Sequence, residues 1–288
     1  MKLVSFEGPN GQGYGALDSD QIIRLDGAGA AANDLKSFLG VWDQGGFSIP
    51  EGAERIAFDS VRLLPPIPDP SKVFCVATNF REPGNADKTE PDFPLLFTRV
   101  AEAQTGHGAP ILKPSVSGQF DFEGEMAVII GRAGHKIARA DAQDHIAGYA
   151  CFNDGSVRDW QKHSTQLTPG KNFYQSAGFG PWLVTKDEVP DIAVLHLETR
   201  VNGVIKQAIS LGQMIFDPSW LISYISTFSP LGVGDVIVTG TPSGFGATRK
   251  PKEFLSHGDV VEVEITGLGT LSNQVQQDIG PSEFNFRK

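Results

Sequence analysis

Cysteine is scarce in this sequence of 288 residues, which contains only two. Cys75 in "KVFCVATNF" and Cys151 in "GYACFND" both lie inside apolar segments that are typical of strands. Because neither belongs to a C-x-x-C pair or has a neighbouring histidine, the sequence indicates neither a disulfide framework nor a thiolate metal site. We therefore predict that both are small, buried hydrophobic side chains.

Long apolar runs and excess positive charge are also missing. No stretch of about 18 apolar residues occurs, and the first residues, "MKLVSFEGPNGQGYGALD", become polar too early for a signal peptide. The formal net charge is -10, and no long basic run offsets it. Such a balance argues against nucleic acids and anionic membranes as partners. We expect a cytoplasmic protein.

Turn-forming residues are abundant, with 33 glycines and 19 prolines. The chain is 40% hydrophobic and 20% charged, which is the composition of an ordinary globular protein. Frequent turns favour many short strands over a helical bundle. The predicted fold class is therefore α+β and strand-rich.

A proline-rich segment divides the chain. Four of the six residues from Pro65 to Pro70 are prolines, and such a segment continues neither a helix nor a central strand. We predict a small N-terminal α/β domain over residues 1–64, a linker over 65–71, and a catalytic domain over 72–288.

Two local patterns predict particular elements in the second part. Asn202-Gly203 is the favoured type I′ turn of a hairpin in "LHLETRVNGVIKQAI". The segment "DPSWLISYISTF" predicts a helix with Asp217 as N-cap and Pro218 in the first position. Its apolar stripe consists of Leu221, Ile222, Ile225 and Phe228.

Two carboxylates stand at the start of the apolar run "FDFEGEMAVIIG". Glu123 and Glu125 point to the same face if this run is a strand, and like charges so close repel unless a cation holds them. Solvation on an edge strand is the alternative. Ala127 and Ile129 continue the same face as apolar residues, which favours a position at the rim of the core and a metal site.

A third carboxylate, Asp154 in "CFNDGSVRDWQ", ends another apolar strand. Functional groups often collect in loops at strand ends. Three carboxylates without a suitably spaced histidine or cysteine favour a hard cation, Mg²⁺, Mn²⁺ or Ca²⁺, over zinc.

Six ordered motifs resemble those of the fumarylacetoacetate hydrolase family. They are "DFEGE", "NDGSVRDWQ", "GKNFYQS", "TRVNG", "QMIFDP" and "GDVIVTGTPSGFG". The resemblance extends from about Lys72 to the end of the chain. It implies a mixed β-sandwich roll that binds a divalent cation, most simply Mg²⁺, through Glu123, Glu125 and Asp154.

The resemblance also implies an activity. The family acts on 2,4-dioxo acids and related β-dicarbonyl compounds, mostly by cleaving a carbon–carbon bond, and includes decarboxylases, hydratases and isomerases. Three protein ligands leave open positions that a keto acid fills with its carboxylate and keto oxygens. A homodimer is expected, because the family is commonly dimeric or larger.

Four further residues match family positions. Lys171 in "GKNF" corresponds to a lysine that contacts substrate, and Gln161 in "RDWQ" to a glutamine that orients substrate or water. Arg158 corresponds to a structural or substrate-facing arginine. Thr241 in "TGTP" corresponds to the threonine whose hydroxyl or backbone amide holds the substrate carboxylate.

The sequence departs from the family in the segment "TNFREPGNADK". Family hydrolases carry a histidine and a glutamate here that together deprotonate water, whereas these positions are Pro83 and Ala86. Glu82, Asp87 and Glu90 are alternative bases if they are desolvated, and Asp87 is the one we select. Each is otherwise a solvated loop charge. His107 in "TGHGAP" is a further residue that could approach the site.

Three functions therefore remain open. The first is a divalent-metal-dependent hydrolase that cleaves a carbon–carbon bond in a 2,4-dioxo acid, either an acylpyruvate or a 2,4-diketo-3-deoxy sugar acid. The second is a decarboxylase or another lyase or isomerase of a β-keto acid on the same site. The third, a non-enzymatic binding protein, is disfavoured because unpaired charges at one site are energetically costly, and a site without catalytic function would not require them.

Overall fold

The computed structural model describes residues 1–27, 32–42, 49, 51–82 and 89–280. The N-terminal part contains strands β1 (Lys2–Gly8), β2 (Gly11–Asp18), β3 (Gln21–Arg24), β4 (Arg55–Ala57) and β5 (Arg62–Leu63), with helix α1 (Leu35–Trp42) between β3 and β4. Phe38 and Leu39 on the buried face of α1 pack into the same apolar cluster as Leu3 and Tyr14.

The middle of the chain is mostly strand. It contains β6 (Val73–Val76), β7 (Leu96–Arg99), β8 (Gln104–Thr105), β9 (Ile111–Lys113), β10 (Phe120–Asp121), β11 (Gly124–Ile130), β12 (Ile146–Asn153), β13 (Ser156–Val157) and β14 (Ala177–Thr185). The short helices α2 (Arg158–Gln161) and α3 (Thr168–Lys171) lie between β13 and β14.

The last part contains β15 (His196–Val201), β16 (Val204–Ser210), helix α4 (Pro218–Phe228), β17 (Val236–Val238), β18 (Val260–Ile265) and β19 (Gly269–Gln277). One mixed sheet has the order β4-β3-β2-β1-β14-β12-β11-β17-β6-β7, with β5 beside β1 and β8 beside β14. A second sheet has the order β16-β15-β18-β19-β9, and β10 pairs with β13.

The main core lies between the two larger sheets. Met126 and Val128 of β11 belong to one buried cluster with Leu197, Val263 and Leu271 of the second sheet. The opposite side chains of β11, Ala127 and Ile129 among them, pack in the cluster that includes α1. The large sheet is therefore covered on both faces, and the strand-rich fold class is confirmed.

The predicted hairpin and helix are both present. Asn202 and Gly203 join β15 to β16 with φ values of 52° and 76°, as a type I′ turn requires. Asp217 caps α4, because its Oδ1 accepts a hydrogen bond from Trp220 N at 2.8 Å. The predicted apolar stripe is buried except at Phe228, which is 57% exposed because it is the last residue of the helix.

The N-terminal strands are continuous with the rest of the large sheet. Leu3 of β1 pairs with Leu183 of β14. The division into a separate N-terminal domain, a linker and a catalytic domain stays a prediction. Cys75 and Cys151 are buried and free, as expected. Within the described ranges, no helix is long and apolar enough to cross a membrane.

Candidate active site

The three carboxylates meet where β11 begins and β12 ends. Gly124 pairs with Asn153, so Asp154 lies directly beside Glu123 and its amide donates to Glu123 O at 2.8 Å. Ligand oxygens of Glu123, Glu125 and Asp154 all lie within 4.8 Å of one another, and all three residues are buried. Glu123 stands just before the strand, whereas Glu125 is its second residue.

Lys171 lies between two of these carboxylates. Its Nζ is 2.5 Å from Glu123 Oε2 and 2.6 Å from Asp154 Oδ2, and the side chain is 2% exposed. The ammonium also lies 4.7 Å from the ring centroid of Phe97. Lys171 ends α3, where the preceding Gly170 is in contact with the Gln161 backbone and leaves no space for a Cβ.

Arg158 binds the opposite side of Glu123. Its Nη1 lies 2.7 Å from Glu123 Oε1 and donates to Gln161 Oε1 at 3.1 Å. Its guanidinium stacks 4.4 Å from the ring centroid of Phe245. Nη2 is buried and has no hydrogen-bond partner in the described part of the chain. This Nη2 is therefore a buried donor available to a ligand.

Two charged residues of the site are not predicted by the sequence. Arg99 is fully buried, and its Nη1 forms an ion pair with Asp154 Oδ1. Asp121 accepts from Arg158 Nε at 2.8 Å and from the amides of Gly246 and Ala247 at 2.7 and 2.8 Å. Asp121 is the first residue of the "DFEGE" motif, which is the one signal that singles it out.

The hydroxyl of Thr241 is occupied within the protein. It donates to Gly124 O at 2.9 Å and accepts from Gln207 Nε2 at 2.8 Å. A hydroxyl has only one proton to donate, so in this arrangement it has none for a carboxylate. The backbone amide is engaged as well, because Thr241 forms a parallel bridge with Thr78 and the following Pro242 has no N–H to contribute. The expected contact of Thr241 with a substrate carboxylate stays a prediction.

Burial and charge separate the pKa values of the two glutamates. Burial raises the pKa of Glu123, but Arg158 and Lys171 lower it by more, to about 2. Burial, Asp154 and Glu123 together raise the pKa of Glu125 well above its usual value. Burial lowers the pKa of Lys171, but Asp154 and Glu123 more than offset this and raise it.

The donor set fits a hard divalent cation. Glu125 Oε2 accepts from Gly240 N at 2.6 Å, but its Oε1 is buried with no hydrogen-bond partner among the described residues. A buried carboxylate oxygen without a partner is costly, and a cation held also by Glu123 and Asp154 would supply the missing interaction.

The other expected bases are not brought to the carboxylates by any observed contact. Glu82 accepts from the amide of Ser243. Glu90 is an exposed ion-pair partner of Arg81, which lowers its pKa. His107 Nδ1 accepts from Ser272 N at 3.1 Å, against β19. Pro83, Ala86 and Asp87 lie outside the described residues.

Comparisons with known proteins identify the family of the chain. A family model described as fumarylacetoacetate (FAA) hydrolase C-terminal matches residues 72–276, and one described as Rv2993c-like, N-terminal, matches residues 1–66. The chain is 40% identical over 230 residues to the oxaloacetate tautomerase YisK of Bacillus subtilis, covering 78% of this chain and 76% of that protein. It is 35% identical to the mitochondrial oxaloacetate tautomerase FAHD2A of Bos taurus, covering 96% and 91%.

Solved structures show the same fold. The fumarylacetoacetate hydrolase of Exiguobacterium antarcticum is 33% identical with a TM-score of 0.87, over 96% of this chain and 100% of that one. The maleylpyruvate hydrolase of Sphingobium, solved with manganese(II) and pyruvate, is 27% identical with a TM-score of 0.78, over 96% and 99%. The relatives are therefore enzymes, and one of them binds a divalent metal.

Proposed function

Because the chain belongs to the fumarylacetoacetate hydrolase family, we propose that it is a divalent-metal-dependent tautomerase. It interconverts the keto and enol forms of oxaloacetate or of a closely similar 2-oxo dicarboxylic acid. The observation that carries this proposal is the buried group of Glu123, Glu125 and Asp154, in which Glu125 Oε1 has no partner among the described residues. The name of the Bacillus subtilis relative supports the substrate.

Glu123, Glu125 and Asp154 are the residues that would hold the cation, and Mg²⁺ or Mn²⁺ suits an all-carboxylate set. When bound, the ion supplies Lewis-acid polarisation of a 2-oxo group. Ca²⁺ also accepts such ligands, with a less demanding geometry.

The remaining residues orient the substrate and stabilise charge. Lys171 carries a buried positive charge beside the carboxylates, and such a charge favours an oxygen that becomes negative as the enol forms. Arg158 Nη2 and the Gln161 side-chain amide are the donors that we assign to the substrate carboxylate. Asp87 stays a proposed catalytic residue, as the base that hydrolysis requires.

Tautomerisation agrees with the departures at Pro83 and Ala86. Moving a proton from carbon to the keto oxygen requires no activated water and breaks no carbon–carbon bond. The positions at which family hydrolases activate water are therefore free to change. Positive charge at the developing enolate is the main requirement, and Lys171 meets it.

A carbon–carbon hydrolase of an acylpyruvate or a 2,4-diketo-3-deoxy sugar acid is the second candidate. Two solved relatives with hydrolase names, from Exiguobacterium antarcticum and Sphingobium, favour it. Hydrolysis requires a base for water, and Asp87 would have to serve. A decarboxylase of a β-keto acid needs only enolate stabilisation and would use the same residues.

The test separates these reactions by their products. The protein is incubated with oxaloacetate or an acylpyruvate, each with Mg²⁺ or Mn²⁺, while enol absorbance and product masses are followed. A tautomerase accelerates the decay of the enol signal without a change in mass. Two fragments identify the hydrolase, and CO₂ identifies the decarboxylase. No acceleration of enol decay over a Glu125→Gln control would refute the tautomerase.

The expectations for assembly and location stay predictions. A homodimer is expected from the family, and light scattering at micromolar concentration tests it. A cytoplasmic location, without membrane or nucleic-acid partners, is expected from the acidic composition.

A further inference from the structure

A pocket of about 300 Å³ opens beside the loop that follows Thr241. Its lining consists of Ser243, Gly244, Thr248, Arg249, Lys250 and Glu253. The loop is internally braced, because Gly244 N donates to Thr248 Oγ1 at 3.3 Å and Thr248 Oγ1 donates to Phe245 O at 2.7 Å. The pocket is therefore built by a defined loop.

The charge of the pocket is positive although the chain is acidic. Glu253 is neutralised by two cations, since its Oε2 lies 2.6 Å from Lys206 Nζ and 3.0 Å from Arg249 Nε. Lys250 is exposed and forms no ion pair within the described ranges. In a chain with a formal charge of -10, this local excess of positive charge suits an anionic ligand.

A carboxylate already occupies one donor of this loop. The amide of Ser243, a lining residue, donates to Oε1 of Glu82. The Glu82 side chain thus shows that the loop binds a carboxylate at this amide. An external carboxylate of similar geometry would compete with Glu82 for the same donor.

The pocket lies close to the metal-binding carboxylates along the chain. Gly240 N donates to Glu125 Oε2 at 2.6 Å, and Ser243 is three residues further on. Three residues of extended backbone span at most about 11 Å. The Ser243 amide is therefore no more than about 11 Å from the Gly240 amide that contacts Glu125, and this limit bounds the length of a ligand that reaches both.

We propose that this pocket is a subsite for the distal carboxylate of the substrate, formed by the Ser243 amide and the Arg249 and Lys250 side chains. The subsite selects 2-oxo dicarboxylates over 2-oxo monocarboxylates. Glu82 occupies it in the absence of substrate and leaves when the substrate binds. This inference rests on the proposed function, because the first carboxylate and the keto group must bind at Glu123, Glu125 and Asp154.

The test compares two acids of equal chain length, 2-oxoglutarate and 2-oxopentanoate, which differ only in the terminal carboxylate. Their binding to the Mn²⁺-supplied protein is measured by calorimetry. The wild-type protein is expected to bind the dicarboxylate about tenfold more tightly, a difference of about 1.4 kcal/mol. Lys250→Glu is expected to remove this preference and to leave 2-oxopentanoate binding within about twofold.

Lys252→Glu is the matched control, because Lys252 is exposed in the same segment but does not line the pocket. It makes the same change in net charge and is expected to keep the preference. Glu82→Gln is expected to tighten binding of the dicarboxylate alone, because a neutral amide competes less well for the Ser243 amide.

Equal binding of the two acids by the wild-type protein would overturn the subsite and leave the proposed function intact. Equal losses in Lys250→Glu and Lys252→Glu would also overturn it, since they would show only general electrostatic attraction. If neither acid binds in the presence of Mn²⁺, the subsite is overturned, and the enol-decay assay with oxaloacetate then decides separately whether the proposed function holds.

Discussion

Lys171 and Asp154 form a buried ion pair, with Lys171 Nζ 2.6 Å from Asp154 Oδ2. The same ammonium lies 2.5 Å from Glu123 Oε2. The Lys171 ammonium thus forms ion pairs with two carboxylates from different strand ends, and the position of each carboxylate depends on this ammonium.

Replacing Lys171 by Met should destabilise the metal-free protein. The change keeps most of the side-chain volume but leaves two buried carboxylates without their shared cation. Breaking a buried ion pair costs about 3–5 kcal/mol. Urea unfolding measures this loss, and Mn²⁺ should restore part of it. Lys206→Met is the control, because its ion pair with the partly exposed Glu253 is expected to contribute about 1 kcal/mol or less. Equal losses in the two variants would contradict the account.

Replacing Glu125 by Gln should separate metal binding from folding. The metal-free variant is expected to be at least as stable as the wild type, because a buried carboxylate with a raised pKa is removed. Mn²⁺ at 100 times its dissociation constant should stabilise the wild type by about 2.7 kcal/mol and the variant by much less. Thermal unfolding with and without EDTA provides the measurement. A wild-type protein fully active in EDTA would refute the metal site.

Replacing Asp87 by Asn should distinguish the two candidate reactions. If Lys171 and the cation supply most of the catalysis, enol conversion should slow less than about tenfold, or about 1.4 kcal/mol of barrier. If Asp87 is instead the general base for hydrolysis, its neutralisation should lower the rate of hydrolysis by a factor on the order of 10² to 10⁴. Asp92→Asn, an exposed change nearby, is the control. If Asp87→Asn slows enol conversion by more than about a hundredfold, Lys171 and the cation do not supply most of the catalysis.

His107 should make stability depend on pH. Burial lowers its pKa in the folded protein, where Nδ1 accepts from Ser272 N. The unfolded state therefore binds a proton first, so the contribution to stability is present above pH ~6.5 and is lost as the pH falls toward the lowered pKa. His107→Asn keeps an acceptor near Nδ1 and should lose less stability between pH ~7.5 and ~5 than the wild type, as measured by urea unfolding. Identical losses of stability in the variant and the wild type would show that His107 does not cause the pH dependence.

The sequence predicts what local patterns determine. The hairpin at Asn202-Gly203 and the cap of α4 at Asp217 depend on residues only a few positions apart. The proximity of Glu123 to Glu125 follows from their spacing at the start of a strand, and the position of Asp154 at the end of another strand predicts that it is a functional residue. Their meeting depends on the pairing of β11 with β12, which the sequence alone does not give.

The sequence does not predict the long-range partners of the site. Arg99 contacts Asp154 across 55 positions, and Asp121 contacts Gly246 across 125. No local sequence pattern predicts the partner of either residue, because contacts over such sequence separations form only when the sheet is complete. The occupied hydroxyl of Thr241 is a similar case, since Gln207 reaches it from another strand.

The pairing of β1 with β14 has a consequence for synthesis on the ribosome. Leu3 emerges early, but Leu183, with which it pairs, follows far later in the chain. At about 5–20 residues per second, the interval is roughly 10 to 35 s. During this time, the part of β1 near Leu3 has an unpaired backbone edge that another nascent chain can join. Slower translation between these two strands is therefore expected to increase misassembly.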